Sequence, residues 1–88
     1  MKYHGKILLG SKTVVHQVDG ELTERTLSDG KKIYRGYFST MEAPEISEDD
    51  IYRLVVKDGR KTKIKVMALL SDIAGMKVYS CYATQPIE

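Results

Sequence analysis

Four cationic side chains form the clearest candidate for a functional group in this sequence. Arg53 lies on one side of a turn, and Lys61, Lys63 and Lys65 follow it at every second position. Because successive side chains of a β-strand point to opposite faces, these alternate residues would share one face. Ammonium and guanidinium groups bind carboxylates and phosphates. The spacing therefore predicts a basic surface that holds an acidic or phosphate-bearing partner.

The two histidines, His4 and His16, are the candidates for acid–base chemistry. Neither has a carboxylate at a diagnostic spacing or a nucleophile within a known catalytic motif. The sequence also contains no phosphate-binding glycine loop and no dinucleotide fingerprint. We interpret His16 as a structural histidine, opposite Gly5, with its ring towards the core or the barrel mouth. We expect a protein that is not an enzyme and that uses no cofactor.

The acidic segment MEAPEISEDD, residues 41–50, raises the question of a metal site, because oxygen ligands on a loop are what calcium requires. The segment lacks the alternating ligands, central glycine and terminal glutamate of an EF-hand loop. Cys81 is the single cysteine, which leaves no cysteine cluster and no internal disulfide. We predict no metal site, a solvated loop or helix start at 41–50, and a buried Cys81.

Turn signals indicate the strands that would carry these side chains. Asp-Gly pairs occur at 19–20, 29–30 and 58–59, and Gly10-Ser11 follows the first apolar run. Such pairs between strand-like residues are typical of hairpin turns. We predict strands over residues 2–9, 12–18, 21–27, 31–40, 51–57, 60–70 and 77–84. The predicted fold class is all-β, an antiparallel meander of about six or seven strands forming a small barrel or compact sandwich.

The loop at Asp58-Gly59 sets the register of the hairpin that carries the basic residues. A two-residue loop would pair Val56 with Lys61, and would therefore place a core residue against a charge. A three-residue loop with a left-handed Gly59 puts the apolar residues of both strands on one face. This preferred register places Leu54 opposite Thr62, Tyr52 opposite Ile64 and Arg53 opposite Lys63.

The outer face of this hairpin mixes basic with apolar residues, and a neighbouring strand is expected to extend it. The predicted partner-binding residues are Arg35, Tyr37, Ile51, Arg53, Val55, Lys61, Lys63, Lys65 and Met67. A mixed surface suits a protein partner or self-association, so we favour a non-catalytic protein-interaction or assembly module. The alternative is a small-barrel nucleic-acid-binding domain that contacts phosphates through the same face. Nucleic acid ranks below a protein partner because the net charge is only +2 and no aromatic residue alternates with the three lysines. Two further possibilities are that residues 41–50 or the C-terminus cover this face, and that its charge is compensated internally, by Glu45, Glu48, Asp49 and Asp50; internal compensation ranks above nucleic acid.

Two segments also carry a helical pattern. Residues 47–50 combine an N-cap serine with an acidic first turn, which favours a helix to Lys57 or one short helical turn over residues 44–50. The β-branched and aromatic residues from Ile51 onwards favour a strand instead. The stretch from Val66 to Met76 has a similar alternative, a short helix before Gly75.

Two short stretches share an aromatic–glycine–apolar pattern at alternate positions, Tyr3 to Ile7 and Tyr34 to Phe38. Glycine within a strand commonly marks a bend or a close approach by another backbone. We therefore expect Gly5 and Gly36 to let their strands curl around a small core. The predicted core residues are Tyr3, Ile7, Leu9, Val14, Val18, Tyr34, Phe38, Tyr52, Leu54, Val56, Ile64 and Val66.

Length and composition limit the organisation of the chain. The 88 residues fit a single small β domain, residues 1–88. A hydrophobic content of 42% and a charged content of 30% are those of a globular chain. No apolar run approaches the roughly 20 residues of a spanning helix. We expect a cytoplasmic protein with no membrane partner.

Overall fold

Six antiparallel strands close into a barrel in the computed structural model, which describes residues 1–88. The strands are β1 (Lys2–Leu9), β2 (Lys12–Thr26), β3 (Lys32–Thr40), β4 (Tyr52–Val56), β5 (Lys61–Ile73) and β6 (Met76–Ala83). The all-β prediction is confirmed. There is no helix, and therefore none that is long and apolar enough to cross a membrane.

The barrel consists of two three-stranded meanders, β1–β2–β3 and β4–β5–β6, joined edge to edge. β3 pairs with β6, and β1 pairs with β4 to close the sheet. β3 and β4 are neighbours in sequence but not in the sheet, so the chain between them crosses one end of the barrel. We call residues 41–50, which form most of this crossing, the acidic strap.

The register predicted for the β4–β5 hairpin is confirmed. Tyr52 lies opposite Ile64, and Leu54 lies opposite Thr62. The Val56 amide donates to the Arg60 carbonyl at 2.7 Å, which closes a three-residue loop. Gly59 has a φ of 94°, the left-handed conformation that this loop requires.

The first turn is also as predicted. Gly10 has a φ of 61° and Ser11 does not have a positive φ, which is the type II′ combination. The turn expected at Asp19-Gly20 is wrong, because β2 continues through both residues to Thr26. Gly20 pairs with Tyr3 on one side and Phe38 on the other. It therefore marks the point at which β2 leaves β1 and joins β3.

Both helical alternatives are wrong. Residues 47–50 form a turn, in which the Asp50 amide donates to the Ser47 carbonyl at 3.5 Å, and β4 begins at Tyr52. The single helical turn over residues 44–50 does not form either. In the second segment β5 runs to Ile73, and a two-residue turn follows in which Ala74 and Gly75 both have positive φ. This is the type I′ geometry that suits a twisted hairpin.

The core lies inside the barrel and contains most of the residues predicted for it. Its predicted members are Tyr3, Ile7, Val18, Phe38, Tyr52, Leu54, Val56, Ile64 and Val66, and Cys81 is buried among them as expected. Val14 and Tyr34 are partly buried against it. Leu9 was expected in the core but is 37% exposed. The core also includes Val15, Leu22, Tyr79 and Ala83, which are not among the predicted core residues.

Bulges in the β1–β2 pair explain why Val15, and not Val14, points into the core. The register shifts between Gly5 and Ile7, so that Gly5 lies opposite Val18 and Ile7 lies opposite Val15. One extra residue on β2 changes which side chains point inwards. Val15 therefore replaces Val14 inside the barrel. His16 lies in the bulge with an exposed side chain, so its ring does not face the core. The residue opposite Gly5 is Val18, and not His16 as was expected.

The close-approach role predicted for two glycines is confirmed. A Cβ atom at Gly5 would overlap the carbonyl of Val55, and one at Gly36 would overlap the carbonyl of Glu21. Both glycines lie where an adjacent strand comes too near for any side chain. They allow a six-stranded sheet to close around a small core.

Candidate partner-binding surface

The outer face of the β4–β5 hairpin holds the centre of the predicted site. Arg53 lies directly opposite Lys63, and Val55 lies opposite Lys61. Arg53, Lys61 and Lys63 are exposed, while Val55 is half-buried between them. The alternation of buried and exposed residues along both strands directs these cations away from the core.

Closure of the barrel adds residues from β1 to this face. Lys6 lies opposite Val55, and Leu8 lies opposite Arg53. Lys6 is exposed, and Leu8 is buried without belonging to the core cluster. The row of basic residues therefore extends from β5 across β4 to Lys6 on β1.

On the other side of β5, strand β6 connects the hairpin with the two predicted residues of β3. Tyr82 lies opposite both Lys65 and Arg35, so it stands between these two cations. Tyr37 lies two residues further along β3 and is 40% exposed. We define the basic surface by its six cations and one aromatic residue: Lys6, Arg35, Arg53, Lys61, Lys63, Lys65 and Tyr82.

The basic surface is not neutralised by ion pairs within the chain. The six ion pairs involve His4, His16, Lys31, Lys32, Arg60 and Lys77 as their cationic or imidazole members. Glu45, Glu48, Asp49 and Asp50 of the acidic strap form none. Arg53 and Lys63 therefore face each other as like charges, an unfavourable arrangement of a few tenths to about 1 kcal/mol.

The two apolar ends of the predicted site lie apart from its basic centre. Ile51 precedes β4 and is 59% exposed. Met67 falls within a register shift of the β5–β6 pair, between Val66 and Ala68. Beyond this bulge Leu69 lies opposite Tyr79 and lines a cavity at the barrel end. The apolar residues of β5 from Met67 onwards therefore lie at the barrel end beside this cavity, away from the basic residues of the hairpin.

The acidic strap is fastened to the barrel by Glu42. Its carboxylate accepts the amide N–H of His16 at 2.9 Å and that of Gln17 at 2.8 Å, and it also contacts His16 Nδ1 at 3.0 Å. The hydrogen bond from the His16 backbone is the main cause of a lowered pKa for Glu42. The bulge in β2 supplies both amides, which have no strand partner on that side.

The strap covers a cavity of about 660 Å³ at the barrel end. Ile46 packs against the core beneath it, and the Ser47 amide donates to the Tyr52 hydroxyl at 2.8 Å. Pro44, Leu9 and Leu69 also line this space.

A smaller cleft of about 320 Å³ lies beside the cations of the hairpin. Arg53, Lys61 and Lys63 line one side, and Gln85, Pro86 and Glu88 line the other. Glu88 is held there through its backbone, which exchanges two hydrogen bonds with Lys61 at 2.7 and 3.0 Å. The C-terminal residues therefore border the basic surface.

Both histidines form pairs with carboxylates that the sequence did not reveal. His4 pairs with Asp19 across β1 and β2, and His16 pairs with Glu42 of the strap. No hydroxyl or thiol is hydrogen-bonded to either ring. The structure brings together no three histidine, cysteine or acidic side chains that could hold a metal ion.

Sequence reasoning missed Lys6, Tyr82 and Glu42. Alternation along β1 and β6 indicates that the side chains of Lys6 and Tyr82 point outwards. Their cross-strand neighbours cannot be derived in this way, because those neighbours depend on pairing between segments that are distant in sequence. Glu42 had no recognisable signal, since its partners are backbone amides that a bulge leaves free. Comparison with protein-family models, curated proteins and solved structures finds no match to this chain.

Proposed function

We propose that this chain is a non-catalytic protein-interaction or assembly module that holds an acidic partner on the basic surface. The observation that carries the proposal is the group of six outward cations with no ion pair, including Arg53 directly opposite Lys63. A carboxylate-rich partner would relieve this repulsion and give charge-assisted hydrogen bonds. The half-buried Val55 at the centre adds apolar contact area.

Nucleic acid is the second candidate, and Tyr82 is the observation that favours it. Tyr82 is paired with Arg35 of β3 and with Lys65 of β5, and it alternates with the buried Cys81 and Ala83, which directs its side chain to the outer face. Cations beside an aromatic platform are typical of proteins that bind single strands, where a base stacks on the ring and phosphates contact the cations. We rank it second because Tyr82 and Tyr37 lie on β6 and β3, and no aromatic residue lies on the outer face of the β4–β5 hairpin beside Arg53, Lys61 and Lys63.

The double variant Lys63→Glu/Lys65→Glu tests the proposal. We expect it to abolish binding of fluorescent polyglutamate, measured by anisotropy at low salt. The urea midpoint should stay equal or rise slightly, because the new carboxylate at position 63 would face Arg53 and replace a repulsion of up to about 1 kcal/mol by an attraction. The matched control is Lys12→Glu/Arg25→Glu, which changes the net charge equally at two exposed positions outside the basic surface.

Two outcomes would contradict the proposal. Equal loss of binding in the control would mean that net charge alone decides affinity. Binding of a single-stranded oligonucleotide in preference to polyglutamate, with a steep salt dependence, would favour the second candidate. In that case Tyr82→Ala should weaken oligonucleotide binding by about 1 to 3 kcal/mol, the usual contribution of one stacked base.

A further inference from the structure

The cavity beneath the acidic strap has the size and the walls of a small-molecule site. Its volume is about 660 Å³, and its walls are mainly apolar and aromatic residues of β1, β4, β5, β6 and the strap. Sites for small molecules commonly measure roughly 300 to 1,000 Å³ and combine apolar walls with a few polar groups. No residue of the basic surface lines this cavity, so a ligand here would bind independently of that surface.

The charged side chains that line this cavity are all carboxylates. They belong to Glu45, Glu48 and Asp50, and no lysine, arginine or histidine lines the space. None of the three takes part in an ion pair. Asp50 is half-buried, and solvent screens a charge pair less at such a position than at a fully exposed one. The cavity therefore attracts a cation and repels an anion.

The cation that fits these walls is organic. Metal ions need several oxygen, nitrogen or sulfur ligands that converge on one point, and no three histidine, cysteine or acidic side chains do so. Leu9, Ile46 and Leu69 instead offer apolar surface that would cover the hydrocarbon part of a ligand. A molecule that joins an apolar body to an ammonium group matches both parts of the wall.

Tyr79 adds an unused hydrogen-bonding group to this wall. The residue is only 8% exposed, and its ring stacks on Phe38 with the ring centroids 5.1 Å apart. Its hydroxyl takes part in no hydrogen bond within the chain. No fully enclosed side-chain oxygen lacks a partner, so this hydroxyl is open to the cavity that Tyr79 lines. Buried tyrosine hydroxyls usually have a partner, which a ligand would supply here.

We propose that this cavity binds a small organic amine. The apolar body of the amine lies between the barrel end and the strap, and its ammonium group lies at the carboxylates of Glu45, Glu48 and Asp50. The Tyr79 hydroxyl gives the ligand one further hydrogen bond. Because Glu42 fastens the strap to β2, the three carboxylates are held near the cavity before the ligand arrives, which lowers the entropic cost of binding.

Tryptamine is a suitable probe, because it carries an ammonium group on an apolar ring system. The chain contains no tryptophan, so indole fluorescence comes from the ligand alone. Fluorescence anisotropy should show saturable binding of tryptamine to the wild-type chain. Indole-3-propionate has the same ring and linker but a carboxylate in place of the ammonium group, and it should bind at least about tenfold more weakly.

Two variants assign the binding to this cavity. Glu48→Gln/Asp50→Asn should weaken tryptamine binding about tenfold or more, because hydrogen bonds to charged groups are lost. The matched control, Glu24→Gln/Asp49→Asn, changes the net charge equally at two exposed carboxylates outside the cavity and should bind like the wild type. Tyr79→Phe should weaken binding about two- to tenfold. Its urea midpoint should stay unchanged, because the hydroxyl has no partner within the chain.

Four results would overturn the proposal. The first is a wild-type chain that shows no saturable binding at millimolar tryptamine. The second is equal affinity for indole-3-propionate, since the cavity would then not select a cation. An equal loss of affinity in the control would mean that net charge alone decides binding. Unchanged affinity in Tyr79→Phe would place the ligand elsewhere on the molecule.

Discussion

Glu42 is the residue whose role depends most on its partners in the fold. In the sequence it belongs to an acidic segment that resembles a solvated loop. In the structure its carboxylate accepts two backbone N–H groups from the β2 bulge. These bonds tie the acidic strap to the barrel at its first residues and satisfy amides that no strand reaches.

Replacing Glu42 by glutamine should lower the stability of the barrel by about 1 kcal/mol near neutral pH, because charge-assisted hydrogen bonds are lost. The folded-state pKa of Glu42 lies below its ordinary value. The stabilisation is therefore fully present above the unfolded-state pKa of about 4.3 and disappears as the pH falls through the folded-state pKa.

Urea unfolding at several pH values measures this effect. The midpoints of wild type and Glu42→Gln should differ at neutral pH and converge in acid. Glu45→Gln is the control, since that exposed carboxylate takes part in no ion pair, and its midpoint should follow the wild type throughout. A Glu42→Gln difference that is independent of pH would show that the charge is not involved.

At the scale of the elements, the β4–β5 hairpin could be derived from its own residues. Apolar residues alternate with cations on both strands, and only the three-residue loop brings the apolar sets onto one face. The β1–β2 pair could not be derived in this way. Its bulges shift the phase of β2, and nothing in the apolar pattern distinguishes Val14 from Val15 as the inward residue.

Truncation of one residue on each of these elements separates core from surface. Ile64→Ala should destabilise the barrel by about 2 to 5 kcal/mol, because Ile64 is 1% exposed and its removal leaves a cavity. Leu9→Ala, the control, should have a much smaller effect, since Leu9 lies at the end of β1 and is partly exposed. Equal urea midpoints for Ile64→Ala and the wild type would refute the register.

At the scale of the whole molecule, barrel closure joins segments that are far apart in sequence. The pairing of Gly5 with Val56 and of Phe38 with Tyr79 encloses the core from both sides. Cys81 lies within this core, and burial raises the pKa of its thiol to about 12. The reactive thiolate is therefore scarce at neutral pH as well as inaccessible.

Labelling of Cys81 by iodoacetamide should consequently report opening of the barrel. We expect negligible reaction of the native chain and rapid reaction in urea above the unfolding midpoint. A Thr84→Cys variant provides the comparison, because position 84 is exposed and a thiol introduced there should react at once in the folded protein. If native Cys81 reacts as fast as that introduced thiol, β6 opens without global unfolding.

The sequence by itself determined the all-β class, the β4–β5 register, most of the core and the outward direction of Arg53, Lys61 and Lys63. Alternation and turn chemistry act between near neighbours, so they can be read from local residues. The tertiary structure alone decided that β2 continues through Asp19-Gly20 and that Tyr82 lies between Arg35 and Lys65 in the sheet. It also decided that Glu42 caps the free edge of β2, whereas the edge of β5 beyond Ile64 has no strand partner. These features depend on bulges and on pairing between distant strands. Both are stabilised by contacts between residues far apart in sequence, so local residue patterns do not predict them.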